Sequence, residues 1–357
     1  MSQDSKDLRE DCKYGKTCYQ RNPAHHARFK HPPKEEEPVS QPPTKKAKIT
    51  QNEANDSLLG VKRFFPPEFY SFYDWVKSLK PEDPLTALQE TSGLRLAGDF
   101  YNLEDEMKWR FYYDPPEFLS LLIQVDSSGK TQDDHEHMGY FWDDPKEAPA
   151  FVGHLANNSS KIRKHGVNLF AALHQWNKDE LKKADPFRKT KILKLNDSLT
   201  SFATAQGLSL ELKPESLKTR DKRRVVASPF HGGGLVVPYD KKTSLGYREL
   251  PESTTSLKKM FKKAADSQRD EDESAMDAIQ ELVTFVQFAN DEGDPGMGLE
   301  LGLNLFSFEN SVDAFHPTIK HLLCVAYELL GRDHLSRVAQ RHLSLRKKGE
   351  FLPKAGK

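Results

Sequence analysis

The sequence predicts an α+β fold, in which two mixed α/β units with a mainly helical C-terminal part follow a small Cys/His segment and a disordered linker. Two observations carry this prediction. Residues 93–152 contain short aromatic or β-branched runs bounded by Pro, Gly and Asp, which is typical of strands. Residues 255–330 contain longer apolar-periodic runs, which is typical of helices. The strand-rich part therefore precedes a helical one.

Composition limits the classes of function. The 53 Lys and Arg residues balance the 53 Asp and Glu residues, so recognition of a polyanion requires a local cluster rather than net charge. The chain has three cysteines, and no apolar N-terminal run suggests a signal peptide or membrane span. We therefore expect a soluble intracellular protein. Cys12 and Cys18, with histidines close behind them, indicate a metal site rather than a disulfide, and Cys324 is expected in the core.

Residues 33–57 are rich in proline and charge and poor in aliphatic residues. Such a composition cannot bury enough apolar surface to order itself, so this segment is predicted to be a disordered linker. Within it, Lys45-Lys46-Ala47-Lys48 is a basic run of the nuclear-import type. A merely solvated lysine cluster explains the same run equally well.

Residues 58–222 are predicted to form an N-terminal α/β domain. Pro66-Pro67 can open a helix that runs through Leu79. The predicted strands are 93–99, 108–113, 119–125, 138–142 and 151–152. The predicted helices that follow them are 164–183 and 189–206.

Residues 223–357 are predicted to form a C-terminal domain, because the basic stretch 218–224 precedes a change of pattern. The predicted strand-like or turn-rich segments are 225–227, 231–238 and 246–250. The predicted helices are 255–265, 272–290 and 317–330, and the form of 299–308 is left open.

Residues 10–32 contain the pattern Cys12-x5-Cys18-x6-His25-x5-His31. Two thiolates and two imidazoles complete a tetrahedral structural zinc site and leave no position open for catalysis. A segment this short has no hydrophobic core, so zinc would supply most of its folding free energy. His26 is the rival fourth ligand, and His25 is preferred on spacing.

The predicted helix 272–290 ends near Gly293, a natural C-terminal stop. The apolar residues from position 277 onward have spacings that suit a largely buried helix. Asp291 and Glu292 then lie at the negative end of the helix dipole, where anionic side chains are disfavoured by typically about 0.3 to 1 kcal/mol. Two carboxylates at that end, before the glycine-rich run 293–298, suggest a functional loop. An ordinary solvated acidic loop is the alternative, and physics alone favours it.

The segment CKYGKTCYQRNPAHHARFKHP resembles the poly(ADP-ribose)-binding zinc finger. The resemblance implies that Tyr14, Tyr19 and Arg21 bind the polymer. An aromatic face can stack on adenine, and a guanidinium can pair with phosphate oxygens. Gln20 departs from the family, which commonly has arginine at that position.

The runs TFVQFANDEGDPGMGLELG, WRFYYDPPEF, HMGYF, FHGGGLVVPYD and GYRELPE resemble the histone PARylation factor family, and they span residues 109–302. The resemblance implies a factor that docks on the catalytic domain of a poly(ADP-ribose) polymerase and completes its active site. Glu292 would be the general base that deprotonates a substrate serine. Arg248, Tyr247 and Asp291 would lie at the docking surface. Ser244 stands where the family pattern has an acidic residue.

The same resemblance implies a co-catalytic protein without independent activity. Its partners would be the polymerase, histones and poly(ADP-ribose), with no membrane and no sequence-specific DNA. Zinc would be structural, and NAD would be bound by the polymerase rather than by this chain. The expected location is the nucleus, on chromatin at sites of DNA damage.

Two further classes of function stay open. A poly(ADP-ribose)-reading scaffold differs from a co-catalytic factor only in whether Glu292 matters to turnover. A zinc-finger nucleic-acid binder is weakened because no basic stripe follows the finger in the sequence.

Three other patterns carry less weight. His231-Gly-Gly-Gly is expected to be a turn rather than an oxyanion loop, because no Gly-x-Ser-x-Gly elbow exists. The glycines at 296, 298 and 302 have the wrong spacing for a dinucleotide fingerprint. His135-x-His137 is expected in a solvated loop rather than at a metal.

Overall fold

The computed structural model of the protein describes residues 10–11, 28–30, 63–101, 103, 106–267 and 274–351. Its contacts group residues 1–52 and residues 53–357 into separate units. In the first unit, β1 (Glu10–Asp11) pairs in parallel with β2 (Phe29–Lys30). This pairing brings together the two ends of the predicted Cys/His segment. The predicted ligands Cys12, Cys18, His25 and His31 lie outside the described residues, as do Tyr14, Tyr19 and Arg21.

The second unit contains an antiparallel sheet of five strands in sequential order. The strands are β3 (Leu94–Leu96), β4 (Phe118–Gln124), β5 (Glu136–Phe141), β6 (Phe151–Ala156) and β7 (Arg163–Lys164). The β4–β5 register shifts between Ser120 and Leu122. A Cβ atom at Gly139 would lie 1.8 Å from the carbonyl oxygen of Leu119, so only glycine allows this close approach.

Helices surround this sheet. They are α1 (Pro67–Leu79), the short α2 (Gln89–Ser92), α3 (Leu169–Lys183), α4 (Pro186–Ala205) and α5 (Glu215–Arg223). The Asn168 side chain caps α3 by accepting a hydrogen bond from the amide of Ala171, and Asp185 caps α4 in the same way. Helices α1, α3 and α4 share a hydrophobic core with one face of the sheet. Leu217 of α5 packs with Phe118, Phe141 and Phe151 of the strands in a separate apolar cluster.

The C-terminal part is helical. It consists of α6 (Thr254–Ser267), α7 (Ser274–Asp291), α8 (Pro295–Phe306), α9 (His316–Leu329) and α10 (Asp333–Leu345). Helix α8 is buried almost throughout, and the other helices pack around it with Phe230, Leu235 and Val237. None of the helices in the described parts of the chain has the length and apolarity that a membrane crossing requires.

The largest hydrophobic cores lie on either side of residue 222. Polar side chains join them. The Tyr327 hydroxyl donates to the buried Glu117 carboxylate at 2.7 Å, and the Arg346 guanidinium lies 3.9 Å from the Tyr112 ring centroid and 4.0 Å from that of Phe306. Burial raises the pKa of Glu117. The predicted domain boundary near residue 222 is not tested by these contacts and stays a prediction.

The predicted α+β class is confirmed, but several predicted elements are wrong. Residues 108–113 are not a strand. A 3-10 helix (Glu106–Trp109) leads into a turn in which the Asp114 carboxylate accepts from the Phe111 amide. The helix predicted from residue 164 starts at Leu169, because Lys164 ends a strand and Gly166 has a φ of 87°.

The segments 225–238 and 246–250 form no strand within the described chain. The first segment contains the isolated bridge Ala227–Leu235, and a second bridge, Asp240–Leu245, lies between the two segments. Gly232, Gly234 and Gly246 have positive φ values, which interrupt an extended chain. Helices α5 and α10 were not predicted.

We expect the buried ion pair that attaches α5 to the sheet to matter far more than its exposed neighbour. Arg220 binds both carboxylate oxygens of Asp143, and both side chains are buried. Arg220→Met leaves Asp143 buried without its partner, so the free energy of unfolding measured in urea should fall by about 3 to 5 kcal/mol.

The matched control is Arg224→Met, which removes the half-exposed pair with Glu147. Its loss should stay below about 1 kcal/mol. Equal losses for the two variants would contradict this interpretation.

Candidate functional site

Helix α7 ends in a glycine-terminated cap. The Gly293 amide donates to the Asn290 carbonyl at 3.1 Å, and the Asp294 amide donates to the Ala289 carbonyl at 2.8 Å. With Gly293 at a φ of 94°, these two bonds form a Schellman motif. Glu292 is therefore the capping residue, and its side chain leaves the helix at the end where the backbone carbonyls carry negative charge.

Asp294 is a buried carboxylate directly after this cap. Its Oδ1 accepts a hydrogen bond from the Gly246 amide at 2.8 Å, and its Oδ2 accepts one from the Arg248 guanidinium at 3.0 Å. The Gly296 amide donates to the Gly246 carbonyl at 3.1 Å. The start of α8 therefore holds the segment 246–248 at three points.

Arg248 joins this segment to the end of α7. Its Nη2 donates to Glu292 Oε2 as well as to Asp294, and the hydrogen bond to Glu292 is the main cause that raises the pKa of Arg248. The Glu292 side chain is 61% exposed, whereas that of Asp294 is 4% exposed. Glu292 Oε1 has no hydrogen-bond partner within the described residues. Arg248 thus orients Glu292 through Oε2 and leaves Glu292 Oε1 free to accept another hydrogen bond.

Glycine at two positions allows this arrangement. A Cβ atom at Gly246, whose φ is 107°, would lie 1.9 Å from the Pro238 carbonyl oxygen. A Cβ atom at Gly296 would lie 2.8 Å from the Gly246 carbonyl oxygen. Both substitutions would separate backbone segments that the site needs in contact.

Tyr247 is hydrogen-bonded through its hydroxyl to Glu300 of α8 and not to Glu292. Its hydroxyl donates to Glu300 Oε2 at 2.8 Å, and its ring packs edge-on against Tyr239. Burial raises the pKa of both Tyr247 and Glu300. This pair supports the segment from the side of α8.

Exposed aromatic residues lie on the same helix as Glu292. The Phe285 and Phe288 side chains are 42% and 58% exposed, which contradicts the expectation that this helix is largely buried at those positions. Phe288 precedes Asp291 and Glu292 by three and four residues, so the three side chains share one helix face. Exposed aromatic rings beside a charged group are typical of a protein-binding surface.

The structure brings together Arg248 and Glu292 as the sequence suggested, but it does not place Asp291 beside Arg248. Asp291 is exposed, and no hydrogen bond or ion pair is found for it among the residues described. The second carboxylate is Asp294, which the sequence analysis missed together with Glu300. The available signal for Asp294 was its position between Gly293 and the helix-opening Pro295.

The weaker sequence patterns have structural explanations. His231 is buried in a turn, where its Nδ1 accepts from the Gly233 amide at 3.0 Å. Gly298 and Gly302 allow close packing against Val286 and Leu323. The expected solvated loop at His137 is wrong, because this residue is buried in β5 between the Asp114 carboxylate and the Asn157 amide oxygen.

This geometry defines a class of protein: a mixed α+β protein that exposes an arginine-held carboxylate beside aromatic side chains. The comparisons with known proteins identify the family. The chain belongs to the histone PARylation factor 1 family, whose model matches residues 46–346. The PBZ domain model matches residues 9–34, so the resemblances stated from both groups of motifs are confirmed.

Relatives in several vertebrates support this assignment. Histone PARylation factor 1 of Mus musculus is 41% identical over 323 residues, which cover 85% of this chain and 90% of the mouse protein. The Bos taurus protein of the same name is 41% identical, with coverage of 79% and 83%. The Danio rerio protein is 39% identical, with coverage of 79% and 82%.

We expect Asp294 to be required for the structure of the site. Asp294→Asn removes the charge that pairs with Arg248. It also replaces one acceptor oxygen by an NH2 group, although the Gly246 amide and the Arg248 guanidinium both donate to this side chain. The free energy of unfolding measured in urea should fall by about 1 to 3 kcal/mol.

The matched control is Asp291→Asn, which changes the same residue type three positions earlier at an exposed site. This variant should stay within about 0.5 kcal/mol of the wild type. If Asp294→Asn were equally neutral, Asp294 would not be the residue that fixes Arg248.

Proposed function

We propose that this chain docks on the catalytic domain of a poly(ADP-ribose) polymerase and supplies Glu292 as the general base for serine ADP-ribosylation of histones and other proteins. The observation that carries this proposal is the Glu292 carboxylate, which is exposed at a helix end and bound through one oxygen to Arg248. Membership of the histone PARylation factor 1 family gives the reaction class.

The chemistry requires a base close to a weak nucleophile. A serine hydroxyl attacks poorly until a base within hydrogen-bond reach accepts its proton. In the proposed step, that proton passes to Glu292, the serine oxygen bonds to the ribose carbon of NAD, and nicotinamide leaves from that carbon. NAD is held by the polymerase, so the role of this chain is to position and use one carboxylate.

The docking surface combines apolar and charged side chains. Phe285 and Phe288 offer the exposed aromatic anchors that dominate many interfaces, and Asp291 and Arg248 surround Glu292 with charge. Tyr247 supports Arg248 from the neighbouring position through its bond to Glu300. An interface centred here would place the partner's active site over Glu292.

The N-terminal unit is proposed to read poly(ADP-ribose). Cys12, Cys18, His25 and His31 form a donor set that suits tetrahedral zinc, which would supply the folding free energy of the segment. Tyr14 and Tyr19 would stack on adenine, and Arg21 would pair with pyrophosphate. This activity would bring the factor to chromatin that is already modified at DNA damage, in the nucleus.

A poly(ADP-ribose)-reading scaffold with no catalytic part is the second candidate. The match of residues 9–34 to the PBZ domain favours it as much as it favours the first. The two candidates differ in the importance of Glu292 to turnover.

The decisive experiment reconstitutes polymerase, nicked DNA, NAD and histone with this protein. Glu292→Gln keeps the shape of the side chain but removes the base, so serine-linked ADP-ribose should fall by about 100-fold or more. Hydroxylamine resistance and mass spectrometry would quantify serine linkage, and polymerase affinity should change little.

The control is Glu281→Gln, an exposed glutamate of the same helix α7, which should retain full activity. Unchanged serine modification by Glu292→Gln would overturn the catalytic role and leave the scaffold. Loss of polymerase binding would instead assign Glu292 to docking.

Removal of zinc provides a separate test of the N-terminal unit. Cys18→Ser, or chelation of zinc from the wild type, should abolish binding to free poly(ADP-ribose), because the segment loses its source of folding free energy. Filter binding with labelled polymer measures this effect.

Cys324→Ser is the control, since this buried cysteine lies in α9 and should leave polymer binding intact. Serine modification of a free histone peptide should also persist without zinc. Polymer binding that survives zinc removal would contradict the assignment.

A further inference from the structure

Helix α6 (Thr254–Ser267) has an exposed face made of lysines. Lys258, Lys259, Lys262 and Lys263 are exposed, while Leu257, Phe261, Ala264 and Ala265 are buried against the C-terminal core. Only Lys262 has an ion-pair partner within the described residues, which is Asp266 of the same helix. Three of these four charges are therefore not neutralised by the part of the fold that the structure describes.

The fold adds a fifth lysine to this face. Lys161 donates from its Nζ to the Phe230 carbonyl at 2.5 Å, and the Lys258 Nζ lies 5.2 Å from the centroid of the Phe230 ring. Both ammonium groups are thus held around one residue. The pKa of Lys161 is lowered, mainly by partial burial and also by the nearby charge of Lys258. The charge of Glu309 acts in the opposite direction.

Folding alone does not explain this arrangement. Like charges four residues apart on a helix repel each other, and Lys258–Lys262 and Lys259–Lys263 are two such pairs. An exposed cluster of one sign is the usual feature of a surface that binds a polyanion.

The chemistry of the face selects among polyanions. Lysines four residues apart are separated by about 6 Å along the helix axis. Each strand of duplex DNA carries one phosphate per about 3.4 Å of its axis, so this separation is close to two phosphate spacings. Large apolar residues of α6 are buried or half-buried, so the face lacks the anchors of a typical protein interface. It also has no exposed aromatic ring on which an adenine of poly(ADP-ribose) could stack.

We propose that Lys258, Lys259, Lys262 and Lys263 of α6, together with Lys161, form a sequence-independent binding surface for the phosphate backbone of duplex DNA. Lysine ammonium groups bind phosphates as point charges and do not read bases, so affinity depends on salt and not on sequence. This surface acts independently of Glu292 and of the zinc finger. It would hold the factor on the DNA beside which a modifying enzyme works.

The test uses the full chain and fluorescence anisotropy with two short labelled duplexes of different sequence, over a range of salt concentrations. The triple variant Lys258→Gln/Lys259→Gln/Lys263→Gln removes the three charges that have no ion pair and retains residues of similar helix propensity. It should make the negative slope of log K against log salt shallower by about 3, since each phosphate contact contributes about −0.9. Affinity at low salt should fall by about tenfold or more, equally for both duplexes.

The matched control is Lys178→Gln/Lys189→Gln/Lys194→Gln, which makes the same change of net charge at exposed lysines of α3 and α4. It should keep the wild-type affinity and slope. Equal losses in both triple variants would reduce the effect to net charge and overturn the proposal, as would an absence of DNA binding by the wild type.

Competition experiments separate the remaining partners. Free poly(ADP-ribose) should bind the triple variant as tightly as it binds the wild type, and an acidic peptide should not displace DNA. If the triple variant lost polymer or acidic-peptide binding and kept DNA binding, the surface would belong to that partner and the proposal would fail.

Discussion

The site depends on the buried carboxylate of Asp294. One of its oxygens binds the Gly246 amide and the other binds Arg248, so a single side chain attaches a loop from residues 246–248 to the start of α8. A buried carboxylate is costly unless its oxygens are paired, and here both are. Arg248 is consequently held at the end of α7, where it reaches Glu292.

The backbone contributes as much as the side chains. The Schellman motif turns the chain sharply after Glu292, and this turn brings Asp294 back under the loop. Without Gly293 in the left-handed conformation, Glu292 and Asp294 could not share one guanidinium. At this helix end, which is electrostatically unfavourable for an acidic residue, the Arg248 guanidinium compensates the charge of Glu292.

The sequence was informative where a local pattern determines the outcome. Aromatic and β-branched runs indicated the central strands, and Pro67 and Gly293 marked the start of α1 and the end of α7. The run 108–113 was misleading because its aromatic residues are packed without belonging to a strand: Phe111 packs with Ile123 and Val125, and Tyr112 packs against Arg346. The Arg248–Asp294 pair and the Lys161–Lys258 neighbours were hidden, since contacts between distant residues leave no periodic signal.

The exposure of Glu292 to solvent limits how strongly the surrounding groups can act on its charge. The Glu292 carboxylate is mostly exposed, and in water a charge interacts weakly with groups around it because the solvent screens it. A base gains strength in catalysis when a closed site excludes water and fixes its partners. The chain supplies the fixed partner, Arg248, and leaves the Glu292 side chain 61% exposed. In the proposed function, the polymerase that docks on Phe285 and Phe288 would exclude water from Glu292, so this base would act only within a shared active site.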